Sequence, residues 1–155
     1  MIHTSPIFSG SISMSGSFTV NGNDLSQGVA AGSVDSSKLA DGSVGSGKLA
    51  AEFTATSSLS PAASIDVNFS SAQVFKLTMG QNTVLNITNP VVGSTKLFVL
   101  TGAGSTYSSS FQVGGADGTF NRIAGLYDDT SGVKNFYQVS CVAPEEFWYS
   151  ISQID

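Results

Sequence analysis

Chemistry needs side chains that move protons, ligate metals or attack substrates, and this chain has few of them. Its one histidine is His3, in the terminal stretch MIHTSPIFSG, and its one cysteine is Cys141, in the apolar run Val139–Val142. A nucleophilic triad requires a histidine held against both its partners, and His3 stands where the chain is expected to be mobile or used in packing. Carboxylates occur as two adjacent pairs, Asp128-Asp129 and Glu145-Glu146. Neighbours on a strand point to opposite faces, so neither pair is set to act as the facing acid and base of a glycosidase. Both pairs are expected in solvated turns. Asp117, Asp128 and Asp129 could offer oxygens to calcium, but no spaced ligand loop accompanies them. The glycine-rich GAGS (102–105) and GGADG (114–118) lack a following lysine or helix, so they read as turns rather than phosphate cradles. One Cys and one His cannot make a zinc site or an internal disulfide, and Cys141 is expected to be a buried small hydrophobe. Asn68-Phe69-Ser70 and Asn86-Ile87-Thr88 match the glycosylation sequon, which carries no weight without a signal peptide. The residues point away from an enzyme, and no catalytic residue, cofactor or metal is assigned.

The composition narrows the classes further. The chain has 155 residues, room for one ordinary domain, and 41% of them are hydrophobic. Only 11% are charged, against ~25% in typical soluble domains; serine, glycine and threonine fill the gap. Such a surface suits extracellular and particle-bound β proteins. The net charge is −5 with no cluster of Lys or Arg, so no partner nucleic acid is expected. No apolar stretch approaches the ~20 residues of a membrane span, so no membrane partner is expected either. The N-terminus has no basic region leading into an apolar core, and folding in a cytoplasm is expected.

The elements follow three rhythms. Over residues 8 to 20, FSGSISMSGSFTV alternates strictly: Phe8, Gly10, Ile12, Met14, Gly16, Phe18 and Val20 on one face, Ser and Thr on the other. That is a strand signal, closed by a turn at Asn21-Gly22. Residues 32 to 50 then read GSVDSSKLADGSVGSGKLA, in which Gly32–Ala40 matches Gly42–Ala50 at seven of nine positions. Val29, Val34, Leu39, Val44 and Leu49 recur every five residues. Each unit suggests an extended Val followed by one helical turn, with Asp35 as cap and Gly42 as stop in the first copy; Gly45 and Gly47 weaken the second. Two apolar side chains per unit with nothing local to cover them predict association about an axis. Residues 1–52 are therefore read as an arm and oligomerisation stalk whose interface holds Ile12, Met14, Phe18, Val34, Leu39, Val44 and Leu49.

From residue 53 onward short alternating runs predict strands over 64–70, 74–79, 83–88, 96–101, 109–113, 122–127, 135–142 and 147–152, separated by turn clusters such as Asn89-Pro90 and Asp117-Gly118. About eight short strands with no helical pattern predict an all-β domain over 53–155, an antiparallel β-sandwich of jelly-roll-like kind. Phe69, Phe75, Phe98, Phe111, Phe136 and Trp148 are expected in its core. Tyr107, Tyr127 and Tyr149 are candidates for contacts with a ligand, although Tyr127 and Tyr149 fall in expected strands and should be half-buried.

Taken in order, the segments resemble tailed-bacteriophage virion proteins of the fibre or decoration kind. SGSISMSGSFTVNG resembles the Ser-Gly-Ser strand near the start of such fibres, DGSVGSGKLA is similar to the DGSVTTAKLA decapeptides of their shafts, and FKLTMGQNTVLNITNP with FWYSIS resembles their small β-sandwich. The resemblance implies a homotrimer that partners other virion proteins on a capsid or tail, is assembled in the host cytoplasm and resides in the virion. Its alternative implication is a receptor-binding module at a fibre tip that recognises a host surface glycan or protein.

Overall fold

The computed structural model describes residue 34 and residues 39–154, together with the backbone of residues 19–20 and 23–24. The chain divides into two units, Met1–Val44 and Gly45–Asp155. In the first, β1 (Thr19–Val20) and β2 (Asn23–Asp24) pair antiparallel, Thr19 with Asp24 and Val20 with Asn23. The expected turn residues Asn21 and Gly22 lie between them, outside the described residues. The rest of the alternating stretch lies outside the described residues.

The second unit begins with a 3-10 turn, Ser46–Lys48, and one turn of helix, α1 (Ala51–Thr54), which the sequence reading did not anticipate. Nine strands follow: β3 (Thr56–Ser58), β4 (Ser64–Asn68), β5 (Val74–Thr78), β6 (Thr83–Thr88), β7 (Thr95–Thr101), β8 (Ser109–Val113), β9 (Thr119–Ala124), β10 (Lys134–Ala143) and β11 (Glu146–Ile154). They form a six-stranded sheet, β3-β5-β7-β10-β11-β9, and a three-stranded sheet, β4-β6-β8.

The all-β expectation holds, but the antiparallel jelly-roll does not. From β3 to β8 the chain alternates between the sheets, so strands that become neighbours run the same way: β3, β5 and β7 are parallel, as are β4, β6 and β8. Three coils stack in a β-solenoid-like arrangement. The only antiparallel pairings of the unit's named strands are β7 with β10 and β10 with β11. The reason is connectivity: a parallel pair needs a crossover, and here the strand of the opposite sheet provides it.

Parallel register places like on like. Phe75 lies beside Phe98 and Leu77 beside Leu100 in the large sheet; Ile65, Leu85 and Phe111, then Val67, Ile87 and Val113, line up across the small one. These inward rows meet with Phe69, Tyr137, Val139, Cys141, Phe147 and Ile151 in one core. The Phe75 and Phe98 ring centroids stand 5.3 Å apart, and Phe69 contacts both. The outward row is polar: Asp66, Asn86 and Gln112 align, and Asn86 Nδ2 donates to Asp66 Oδ1 at 2.6 Å. Of the aromatics expected in the core, Phe69, Phe75 and Phe98 are buried and Phe111 packs on them. Phe136 and Trp148 are not core residues. They share the outward face of their strands with Gln138 and Ser150, where Phe136 is half-buried and Trp148 exposed, its Nε1 donating to Glu146 Oε1 at 2.8 Å.

Two features close the ends of strands. Lys96 stands among the inward positions of β7 and is buried; its Nζ donates to the Glu52 carbonyl at 2.6 Å, and it lies 5.9 Å from the Phe53 ring centroid, so it holds α1 against the sheet. Burial lowers the Lys96 pKa, with the Glu52 carboxylate acting in the other direction. At the far edge β9 ends at Gly125, where φ is +78° and a Cβ would collide with the Ile151 carbonyl. The strand predicted over 122–127 is therefore cut short, leaving Tyr127 in a loop. Gly132 has φ +88° but open space around it. Thermal unfolding should separate the two: Gly132→Ala costs about 1 kcal/mol for left-handed backbone alone, whereas Gly125→Ala adds the collision and costs about 3 kcal/mol. Equal midpoints for the two variants would contradict this packing.

Candidate functional site

The residues expected to bury themselves between copies are exposed in the single chain. Val34, Leu39, Val44 and Leu49 present 45, 45, 51 and 47% of their surfaces to solvent. Local structure sets their display. Gly42 takes φ +73°, and the Ser43 amide donates to the Ala40 carbonyl at 3.0 Å; most of the helical turn that Gly42 was expected to stop lies outside the described residues. In the second repeat Lys48 N donates to Gly45 O at 2.9 Å and Leu49 N to Ser46 O at 3.1 Å, giving the short 3-10 turn that presents Leu49. Ile12, Met14 and Phe18 lie outside the described residues, as do His3 and Asp35.

A second feature arises from the unequal sheets. The small sheet stops at β8, while the large one continues through β10, β11 and β9. Beyond β8 the inward side chains of those last strands have no further strand of the small sheet to pack on, and a cleft of about 380 Å³ opens there. Phe111 comes from β8, Phe120 and Arg122 from β9, Tyr137 from β10, Tyr149 from β11 and Tyr127 from the loop after Gly125. The rings form a continuous wall: Phe111 lies 5.3 Å from Phe120, 5.8 Å from Tyr137 and 5.4 Å from Tyr149, and Tyr137 stacks on Tyr149 at 6.1 Å. The Tyr137 hydroxyl shares a 2.9 Å hydrogen bond with Ser109 Oγ. Burial pushes that hydroxyl up to about 12, against the opposing pull of Ser109 and the Arg122 charge. Tyr127 and Tyr149 are half-buried, as the sequence suggested, and so is Tyr107.

The acidic pair Asp128-Asp129 is structural, and Asp129 is no idle turn residue. Its carboxylate accepts from the amides of Ala103 (3.1 Å), Ser105 (2.9 Å) and Tyr107 (2.9 Å) and from the Tyr127 hydroxyl (2.7 Å). Asp128 accepts from the Thr130 amide at 2.8 Å. The wholly buried Asn135 fixes this loop, accepting from Asp128 N (2.8 Å) and donating to Asp128 O (2.7 Å) and Leu100 O (3.2 Å). These partners are far apart in sequence, which hid them; the only signal was a lone Asn among the apolar positions of β10. Glu145 lies in the β10–β11 turn, and Glu146 Oε1 accepts from Trp148 and, at 3.3 Å, from Asn121. Cys141 is buried, its Sγ donating to Ala143 O at 3.2 Å. Among the described residues no group of three or more His, Cys, Asp or Glu side chains could hold a metal ion, and no helix is long and apolar enough to cross a membrane. Compared with known proteins, the chain matches no family model, no curated protein and no solved structure.

The Asp129 network makes a pH prediction. Burial disfavours the carboxylate, but the Tyr127 hydroxyl and three amides outweigh it and hold its pKa down at about 2, from an ordinary 3.8. A carboxylate depressed in the folded state stabilises it above the unfolded-state pKa and loses that contribution as pH falls through the folded one. Stability of the parent should therefore decline between about pH 4 and pH 2, and Asp129→Asn, which cannot ionise, should show a shallower decline from a lower starting point. Parallel pH profiles in chemical denaturation would contradict this role.

Proposed function

We propose that this chain is a structural protein of a tailed-bacteriophage virion, a homotrimeric short fibre or decoration protein docked on the capsid or tail. The observation that carries the proposal is the series Val34, Leu39, Val44 and Leu49, spaced five residues apart and about half exposed in one copy. Covering a Leu or Val side chain is worth ~1.5–3 kcal/mol, and in a trimer every layer counts three side chains. A chain with only 11% charged residues fits a protein that lives packed on a particle, and the order of Ser-Gly-Ser strand, decapeptides and β-rich domain fits a fibre. In this reading residues 1–52 hold the copies together with Ile12, Met14 and Phe18 among the contacts. Other virion proteins are the partners, and the host cytoplasm is the place of assembly.

A second reading, a module that recognises a host surface glycan or protein, is favoured by the aromatic cleft beside β8.

Assembly distinguishes a stalk from a tether. Leu39→Asp would bring three like charges together away from water. It should sediment as a monomer while keeping the parent's far-ultraviolet β spectrum. Ser37→Asp, two residues earlier, should sediment and melt like the parent. If Leu39→Asp assembles as firmly as Ser37→Asp, the five-residue spacing has no role in association.

A further inference from the structure

We propose that the cleft between β8 and the β10–β11–β9 half of the large sheet is a saccharide site that selects a sugar carrying a carboxylate. The inference rests on the second reading above, that this unit binds a host glycan, and does not depend on the trimer.

The cleft's contents define its ligand. Its volume, about 380 Å³, falls at the small end of the usual range for ligand sites. One part of its wall is aromatic: Tyr127 and Tyr149 are half-buried and keep part of their ring surface exposed, while Phe120 stacks on Phe111 and Phe147 behind them. The other part is polar: the hydroxyls of Ser109, Ser110 and Tyr137, and the side chains of Arg122 and Asp117. The Ser109 and Tyr137 hydroxyls already pair with each other, but a purely apolar ligand would strip water from Ser110, Asp117 and Arg122 without replacing its hydrogen bonds. A sugar ring matches both parts, since its C–H face packs on an aromatic face while its rim of hydroxyls gives and takes hydrogen bonds.

An extended peptide fits less well. β8 is the last strand of its sheet, but its end is already taken: the Val113 amide donates to the Ala116 carbonyl at 3.0 Å, and Asp117 and Gly118 of the same turn form part of the cleft wall. A strand laid along β8 would run into that turn.

Arg122 sets the charge preference. It is the one cation among the lining residues, it is exposed, and it sits in register beside Tyr149, where its charge reaches the Tyr137 hydroxyl. A guanidinium offers a planar fork of donors that a carboxylate accepts in bidentate fashion. The wall's own carboxylate, Asp117, accepts from Gln112 Nε2 at 3.4 Å. The polar rim thus presents a fork for an acid on a sugar beside hydroxyls for the rest of the ring.

The test uses the full chain and two disaccharides, cellobiouronic acid and cellobiose, which differ only in whether one exocyclic carbon is a carboxylate. Titration followed by NMR should shift resonances of Phe120, Arg122 and Tyr149, and the acid should bind about tenfold more tightly than the neutral sugar. Arg122→Gln, at an exposed position that leaves the core intact, should erase that preference and keep the weaker binding. Equal affinity for the two sugars would overturn the selectivity while leaving glycan binding in place. No shift at the cleft with either sugar would overturn the site and the glycan reading together.

Discussion

Parallel in-register stacking of one coil on the next is the constraint from which the rest of the C-terminal unit follows. Because each strand returns to its own sheet only after crossing to the other, position by position the same side of each coil faces inward. Phe75 and Phe98 share a row, as do Leu77 and Leu100, and Leu85 and Ile87 sit at the centre of theirs with no exposed surface. The middle coil is sealed above and below; the outer coils depend on what covers them. At the start of the unit α1 is tied to the large sheet by Lys96 of β7, through the Glu52 carbonyl. Towards its end the hairpin β10–β11 inserts beside β7 and moves β9 to the sheet's edge. The small sheet gains no matching strands, and the aromatic cleft is the result.

The same arrangement explains how a chain with so few charges keeps its loops in place. Hydroxyls, amides and backbone groups do what ion pairs do elsewhere. Asp129 gathers three amides and a tyrosine hydroxyl, and Asn135 ties the loop before it to β7 through Leu100. Thr83, buried at the start of β6, donates to the Ala62 carbonyl across the gap between coils. A buried polar group is costly unless it is paired. Each of these is paired with backbone, so the bonds fix chain path as well as side-chain position.

Much of this was legible in the chain itself. Alternation marked β4, β5, β6, β7, β8, β10 and β11 to within a residue or two, because an inward apolar row needs period two whatever its neighbours. Direction was not legible. Alternation says which residues face the core and is silent about which strand lies alongside, so parallel coils and an antiparallel sandwich look alike in sequence. Nor did the coils announce themselves as repeats: Ser64 pairs with Val84 and Val84 with Ser110, so the step changes from one coil to the next. The three-residue β3 was too short to read, and Trp148 misled because a large aromatic on a strand suits either face. In the cleft, Tyr127 and Tyr149 were legible as half-buried rings. Arg122 was not, since only the displaced β9 brings it beside them.

Besides the folded β unit the chain carries a short repeat whose Val34, Leu39, Val44 and Leu49 keep about half of their surface exposed among the described residues. The proposed trimer brings three copies of that repeat together, so a cross-link between copies reports on it. Leu39→Cys places one new thiol per copy at the exposed position, while the native Cys141 is buried and out of reach. Mild oxidation at micromolar concentration should convert most of the protein to disulfide-linked dimers on a denaturing gel, with a linked pair and one free copy per trimer. Protein that stays monomeric under those conditions would contradict the proposed trimer.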